Sequence, residues 1–401
     1  MIPLEEIKQI STVSPSKIVM LVIDGLGGLP DSKTGKTELE TAHTPNFDRL
    51  ARDGICGLID PVSPGITPGS GPGHLALFGY DPLRFTIGRG VLEASGIGFE
   101  LQENDIAARG NFCTVDNKGL ITDRRAGRIT TDKCAELCTL LGQVKLEGVE
   151  LFVLPVREHR FLLALRGKGL SAEISDTDPQ KAGVVPNIAL ATEPQAKYTA
   201  HIVNAFINES ARILAKQHPA NMVLLRAFSK LPDIMSMGEI YKLKPAAIVS
   251  YPMYKGLARL LGMKIYHADG GIQEELKILA DCYDKHDFFY VHVKKADSAG
   301  EDGDFGGKVK AIEQVDSALP QLLNLKPEVI VITGDHSTPA LLKGHSWHPV
   351  PVLLYSQWCR RDKAKEFSES ACASGGLGRI LAVDIMPLAM ANALKLAKFG
   401  A

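Results

Sequence analysis

Three short apolar runs in this chain each deliver an acid. Ile18-Val-Met-Leu-Val-Ile23 stops at Asp24, and Phe288-Phe-Tyr-Val-His-Val293 leads, four residues on, to Asp297. Val329-Ile-Val-Ile-Thr333 passes Gly334 into Asp335-His336. Runs of this length, rich in β-branched side chains, predict strands buried on both faces, as in a parallel sheet. In open α/β sheets, ligands bind just beyond the carboxyl ends of such strands. If the three strands share one sheet, three carboxylates and a histidine arrive at one edge. Buried carboxylates repel one another unless cations lie among them. The pattern therefore points to metal ions at a sheet edge, and to chemistry there.

A chain of 401 residues exceeds one simple core, so one large domain with an insertion, or two domains, is expected. A net charge of −1 gives no electrostatic reason to bind nucleic acid or an anionic membrane, and aromatics at 6% offer little base-stacking surface. The longest apolar runs are strand-length, short of a membrane span. The opening Met-Ile-Pro-Leu-Glu-Glu lacks the basic and apolar regions of a signal peptide, so a cytoplasmic location is expected. Seven scattered cysteines contain no Cys-x-x-Cys pair and read as reduced and structural. Nothing in the sequence sets the oligomeric state.

The first strand gives way to a turn at Gly25-Leu-Gly-Gly28, and residues 42–54 read as a helix with Pro45 near its start. That turn hints at a dinucleotide loop, but Pro30 stands where the third glycine is needed, which argues against nicotinamide binding. Residues 60–73 hold four prolines and four glycines and read as a loop, of the irregular kind that carries function. Between about 96 and 186 the texture becomes mixed α+β, with an alternating strand at Phe161-Leu-Leu-Ala-Leu165 and a turn at Asn117-Lys-Gly119. From Asn221 the α/β rhythm returns, with strands at Met222-Val-Leu-Leu-Arg226 and Ala246-Ala-Ile-Val-Ser250. The expected fold is an α/β core, a mostly parallel sheet flanked by helices, formed by residues 1–95 and 187–401 and split by an inserted α+β cap at 96–186.

Three constellations carry chemistry. The metal candidates are Asp24, Asp297, Asp335 and His336, joined by Glu301 and by His345 and His348 of Gly344-His-Ser-Trp-His348. Oxygen-rich sets with a minority of imidazoles suit manganese, magnesium or zinc, and their number favours two ions. Ser70, among the glycines of Thr67-Pro-Gly-Ser-Gly-Pro-Gly-His74, is a nucleophile candidate that metal coordination can activate; Thr67 is the competing hydroxyl. Basic residues concentrate in the insertion at Arg109, Arg124, Arg125, Arg128, Arg157, Arg160 and Arg166. Guanidiniums pair bidentately with phosphate and carboxylate, so a small phosphate ester carrying a carboxylate would fit.

With these residues in view, the chain resembles the cofactor-independent phosphoglycerate mutases of the archaeal type, within the alkaline phosphatase superfamily. The resemblance runs through Leu21-Val-Ile-Asp-Gly25, Thr44-Pro-Asn-Phe-Asp-Arg-Leu50, Pro68-Gly-Ser70, His74-Leu-Ala-Leu-Phe-Gly-Tyr-Asp-Pro82 and Gly88-Arg-Gly90. It continues through Asp123-Arg-Arg-Ala-Gly-Arg-Ile129, His292-Val-Lys294, Gly303-Asp-Phe305 and Thr333-Gly-Asp-His-Ser-Thr-Pro339.

The resemblance implies an alkaline-phosphatase-like core and a substrate-orienting cap. It implies one metal on Asp24, Ser70, Asp335 and His336, with Ser70 also the nucleophile, and a second on Asp297, Glu301 and His345. The substrate-binding set it implies is Arg109, Asn111, Arg124, Arg125, Arg128, His159, Arg160 and Arg166. The implied reaction interconverts 2-phosphoglycerate and 3-phosphoglycerate through a phosphoserine, in glycolysis and gluconeogenesis, without 2,3-bisphosphoglycerate. Two departures stand out: Glu301 replaces the family's usual histidine, and Gly71-Pro72 follows the serine where many relatives have Asp-Thr. An added carboxylate hardens the site and shifts its preference from zinc towards manganese or magnesium. The alternative is a metal-dependent phosphatase, or a phosphotransferase acting on another small phosphorylated alcohol.

Overall fold

The computed structural model describes residues 2–85 and 87–400, which form two compact units. The first comprises residues 2–85, 234–250 and 258–400, and the second 87–233 and 251–257.

Among the described residues, thirteen strands divide between the units. Those of the first are β1 (Ile18–Ile23), β2 (Ile55–Asp60), β8 (Pro245–Val249), β9 (Lys264–His267), β10 (Phe288–Val293), β11 (Val329–Thr333), β12 (Val350–Ser356) and β13 (Gly378–Leu381). Those of the second are β3 (Ile106–Val115), β4 (Ile121–Asp123), β5 (Glu150–Arg157), β6 (Arg160–Arg166) and β7 (Met222–Ser229).

The sheet of the first unit has the order β13-β2-β12-β11-β1-β10-β8-β9. Only β12 runs against the rest, pairing antiparallel with β11 and β2. The three acid-bearing runs are thus neighbours: β1 lies between β10 and β11, parallel to both, with Ile23 opposite Val293 and Val22 opposite Thr333. Every residue of the three is buried, as their uninterrupted apolar sequences require. The expected α/β class with a mostly parallel sheet holds. None of the helices among the described residues is long and apolar enough to cross a membrane.

The second unit is an antiparallel sheet, β4-β3-β6-β5, with β7 also paired to β3. Phe112, Phe161, Leu163 and Leu165 from the sheet pack with Leu137 and Leu141 of the helix Thr131–Leu141 and with Phe206 of the helix Lys197–Leu214. The unit extends beyond the expected 96–186 insertion on both sides. Its β7 was expected in the core, but it pairs antiparallel with β3, Gly110 opposite Leu225. The helix Arg89–Gly96 also belongs here, because a Cβ on Gly90 would lie 2.3 Å from the Ala107 carbonyl oxygen, so only glycine lets it pack this closely on β3. An apolar run of strand length does not say which sheet it joins, and here pairing decided it.

Candidate functional site

Each strand end of the first unit places its acid by short-range geometry. Asp24 follows β1 directly and is fully buried. Gly25 then turns the chain at φ +68°, where a Cβ would lie 2.9 Å from the Asp297 side chain. Asp297 stands in the first turn of the helix Lys295–Asp302, which begins two residues after β10. Asp335 and His336 follow β11, and both are fully buried. Asp24, Asp335 and His336 offer ligand atoms within 4.8 Å of one another, and so do Asp297, His336 and His345. His336 is common to both triads.

Ser70 is the first residue of a helix, Ser70–Leu77, so the expected 60–73 loop ends at Gly69. The helix has glycine at its N-cap and no capping side chain, and its N-terminus favours negative charge. Ser70 Oγ lies 3.1 Å from His336 Nε2. Gly73 lets the helix come this close, since a Cβ there would lie 2.2 Å from the Asp335 carbonyl oxygen. Thr67, the rival hydroxyl, is exposed.

Hydrogen bonds orient the imidazoles. His345 Nδ1 donates to the Pro68 carbonyl at 2.9 Å, which leaves Nε2 as its free ligand atom, and its ring stacks on His336 at 3.6 Å between centroids. His74 Nδ1 donates towards Asp335 Oδ2 at 3.1 Å and the Ser70 carbonyl at 2.8 Å. His292 Nε2 lies 3.1 Å from Asp24 Oδ2. Lys294 Nζ sits 3.0 Å from Asp24 Oδ2 and also contacts Asp297 Oδ2, joining the two triads. Burial raises the Asp24 carboxyl, but the His292 hydrogen bond and the Lys294 charge outweigh it and hold the pKa well below the usual range. Burial lowers His336 despite Asp335 and Asp24, favouring the neutral imidazole that a metal binds.

This donor set fits divalent cations. Three fully buried carboxylates lie among a group of imidazoles, and one ammonium reaches two of them, Asp24 and Asp297, leaving negative charge for which added cations compensate. Glu301 is at the margin: its side chain is 55% exposed and its Oε1 lies 3.9 Å from His345 Nε2. It belongs to neither triad. His348 bonds Ser346 Oγ and stacks against Trp347, also outside both.

The second unit gathers guanidiniums, though not all the expected ones. Arg109 on β3 stands opposite Arg226 on β7, and Asn111 opposite Arg160 on β6. Burial, then repulsion from Arg109, lowers the pKa of Arg89 and of Arg226, so these three positive charges lie close together. Arg226 Nε is buried with no hydrogen-bond acceptor, Asn111 Oδ1 is buried and accepts no hydrogen bond, and His159 Nδ1 is buried with no hydrogen-bond partner. Burial, then Arg160, pushes His159 down to about 4. Arg125 and Arg128 are exposed on the turn beside it. Two expected members are already engaged. Arg166 grips the buried Asp105 with Nη2–Oδ2 at 2.7 Å and Nε–Oδ1 at 3.0 Å, and Arg124 grips the buried Asp178 with Nη2–Oδ2 at 2.7 Å. Arg109 also bonds Glu93, at 2.7 Å through Nε. The sequence reading missed Arg89, Arg226 and Lys294. Arg89 and Lys294 stand in the quoted Gly88-Arg-Gly90 and His292-Val-Lys294 segments, which were the available signal.

Comparison with known proteins adds the family. Residues 51–221 match the family model described as 2,3-bisphosphoglycerate-independent phosphoglycerate mutase. A chain of Thermotoga maritima, described as a probable 2,3-bisphosphoglycerate-independent phosphoglycerate mutase, is 50% identical over 399 residues, 99% of each chain. The solved structure of the PH0037 protein from Pyrococcus horikoshii is 31% identical with a TM-score of 0.84, covering 97% of this chain and all of that one. A cofactor-independent phosphoglycerate mutase from Thermoplasma acidophilum is 33% identical with a TM-score of 0.74, covering 94% of this chain and all of that one.

Proposed function

The chain belongs to the 2,3-bisphosphoglycerate-independent phosphoglycerate mutases, and from that premise we propose that it interconverts 3-phosphoglycerate and 2-phosphoglycerate, with Ser70 carrying the phosphoryl group between the two positions. It acts as an isomerase, an intramolecular phosphotransferase, in glycolysis and gluconeogenesis, and the cytoplasm is its proposed location. The observation that carries the assignment of Ser70 is its Oγ, 3.1 Å from the imidazole shared by both triads, at the N-terminus of an uncapped helix.

Ser70 Oγ forms a bond to phosphorus as the bond from phosphorus to one glycerate oxygen breaks. The other glycerate hydroxyl then attacks the phosphoserine and frees Ser70 Oγ. No water is consumed and no phosphate is released. Asp24, Ser70, Asp335 and His336 would hold one divalent ion, and Asp297 and His345 the other, with Glu301 at its margin; bound there, the ions would supply positive charge for the phosphoryl oxygens and lower the pKa of the Ser70 hydroxyl. The carboxylate-rich set favours manganese or magnesium over zinc. Lys294 offsets the charge of Asp24 and Asp297.

The glycerate carboxylate needs a partner of its own while the molecule turns. Arg89, Arg109, Arg160 and Arg226 are proposed for that role, supported by the unpaired Nε of Arg226 and the mutual repulsion an anion would relieve. Arg125, Arg128, Asn111 and His159 border this group, whereas Arg124 and Arg166 serve mainly to hold their aspartates.

The test is an enolase-coupled assay on purified, chelator-treated protein. Adding back manganese, magnesium or zinc without 2,3-bisphosphoglycerate should restore conversion of 3-phosphoglycerate to 2-phosphoglycerate. Release of inorganic phosphate at the rate of substrate loss would instead support the phosphatase alternative.

A further inference from the structure

Thr338, in the segment that leaves β11, is fully buried, and its hydroxyl touches members of both triads. Oγ1 donates to Asp297 Oδ1 at 2.7 Å and lies 2.9 Å from His336 Nδ1. The hydroxyl has one proton, and the carboxylate can only accept it. The contact with His336 therefore requires Nδ1 to be the donor. The His336 lone pair is then on Nε2, which faces Ser70 Oγ at 3.1 Å, Asp335 Oδ2 at 3.2 Å and Asp24 Oδ1 at 3.3 Å. A lone pair turned towards two carboxylate oxygens suits a shared cation and nothing apolar.

The backbone of Thr338 is held as firmly as its side chain. Its N–H donates to the carbonyl of Gly27 at 3.0 Å. Its own carbonyl and that of Gly27 both accept from Lys308 Nζ, each at 2.9 Å. Lys308 and Glu38 are fully buried, 3.8 Å apart, and Glu38 Oε1 in turn takes the Ala340 N–H at 2.8 Å. On the other side, a Cβ on Gly300 would lie 2.2 Å from the Thr338 carbonyl oxygen, so the helix bearing Asp297 packs directly on this residue. Burying a lysine is costly, and here two backbone carbonyls and Glu38, all from segments that flank the triads, offset part of that cost.

We propose that Thr338 is a positioning residue for the metal centre: its hydroxyl sets the tautomer of His336 and the orientation of Asp297, and buried Lys308 holds the Thr338 backbone where the hydroxyl reaches both. The inference rests on reading the two triads as metal ligands. Neighbours that orient metal-binding imidazoles and carboxylates commonly contribute about 10- to 100-fold in metal affinity.

Manganese affinity, measured by competition with a chelating dye on the full chain, tests it without using turnover. Thr338→Ser keeps the hydroxyl and should bind within about threefold of the wild type. Thr338→Val keeps the shape and should bind about 10- to 100-fold more weakly. Lys308→Met should weaken manganese binding and also lower the metal-free unfolding temperature. Wild-type affinity in Thr338→Val would overturn the inference while leaving the metal reading intact, as would a Thr338→Ser as impaired as the valine variant. Wild-type affinity in Lys308→Met would overturn the role of the lysine. Failure of the wild type itself to bind manganese, magnesium or zinc would overturn the metal reading and this inference with it.

Discussion

Ser70 Oγ and His336 Nε2 stand 3.1 Å apart, joining the first residue of a helix to the residue that follows Asp335 at the end of a central strand. Both candidate metal triads include His336, so the nucleophile candidate sits beside their common corner.

Metal removal should affect stability as well as rate. A ligand that binds only the folded state at 100 times its dissociation constant adds about 2.7 kcal/mol. Manganese should therefore raise the unfolding temperature of the chelator-treated wild type. Asp335→Asn should lose most of that rise, together with turnover. A chelated sample found metal-free by elemental analysis yet fully active would refute the metal assignment.

The arginines should separate into two classes. Arg226→Ala removes a guanidinium with an unpaired buried donor and should lower mutase kcat/KM by about 100-fold, or roughly 3 kcal/mol. It should barely change hydrolysis of a generic aryl phosphate, which has no carboxylate to hold. Arg166→Ala should instead cost about 2 kcal/mol of stability, because the buried Asp105 loses its partner. Measuring both rates and an unfolding curve on each variant checks the division. Equal loss of the two activities in Arg226→Ala would mean that the arginine serves folding or the metal centre.

Glu275 predicts a pH dependence away from the triads. It is buried in the helix Ile272–Cys282, and its Oε2 accepts no hydrogen bond. Burial, reinforced by Glu274 and partly offset by Lys295, pushes its pKa from 4.5 up to about 8. Between those values the folded state keeps a proton that the unfolded state releases. Its contribution is therefore fully present below about 4.5 and is lost as pH rises through about 8. Glu275→Gln should gain stability relative to the wild type as pH rises from 5 to about 8, then level off. Thermal melts at several pH values test this, and a constant difference between the two proteins would contradict it.

What the sequence disclosed follows from how locally each feature is encoded. The acids at 24, 297 and 335 were legible because a strand that is buried on both faces is a continuous apolar run, and its end is visible one residue at a time. Ser70 was visible among its glycines, but the helix it starts was not, since Gly71, Pro72 and Gly73 read as a loop. Gly73 is there because the helix must touch Asp335, a contact made across the fold. The partnership of Arg109 with Arg226 depends on β7 joining β3, and the run at 222–226 gave no sign of which sheet it would enter. Arg124 and Arg166 looked available because their aspartates, at 178 and 105, lie far away in sequence. Glu301 was placed with the metal ligands by resemblance and by its spacing from Asp297, but its side chain lies at the edge of the centre.

The central claim is that Ser70 carries the phosphoryl group, and mass spectrometry of acid-quenched enzyme tests it most directly. Wild-type protein mixed with 3-phosphoglycerate and manganese, then quenched within a turnover, should yield a phosphorylated peptide containing Ser70. Ser70→Ala should yield none and should lose at least about 10³ in turnover, because the covalent step has no substitute. Phosphate found on another residue, or substantial mutase activity in Ser70→Ala, would contradict the account.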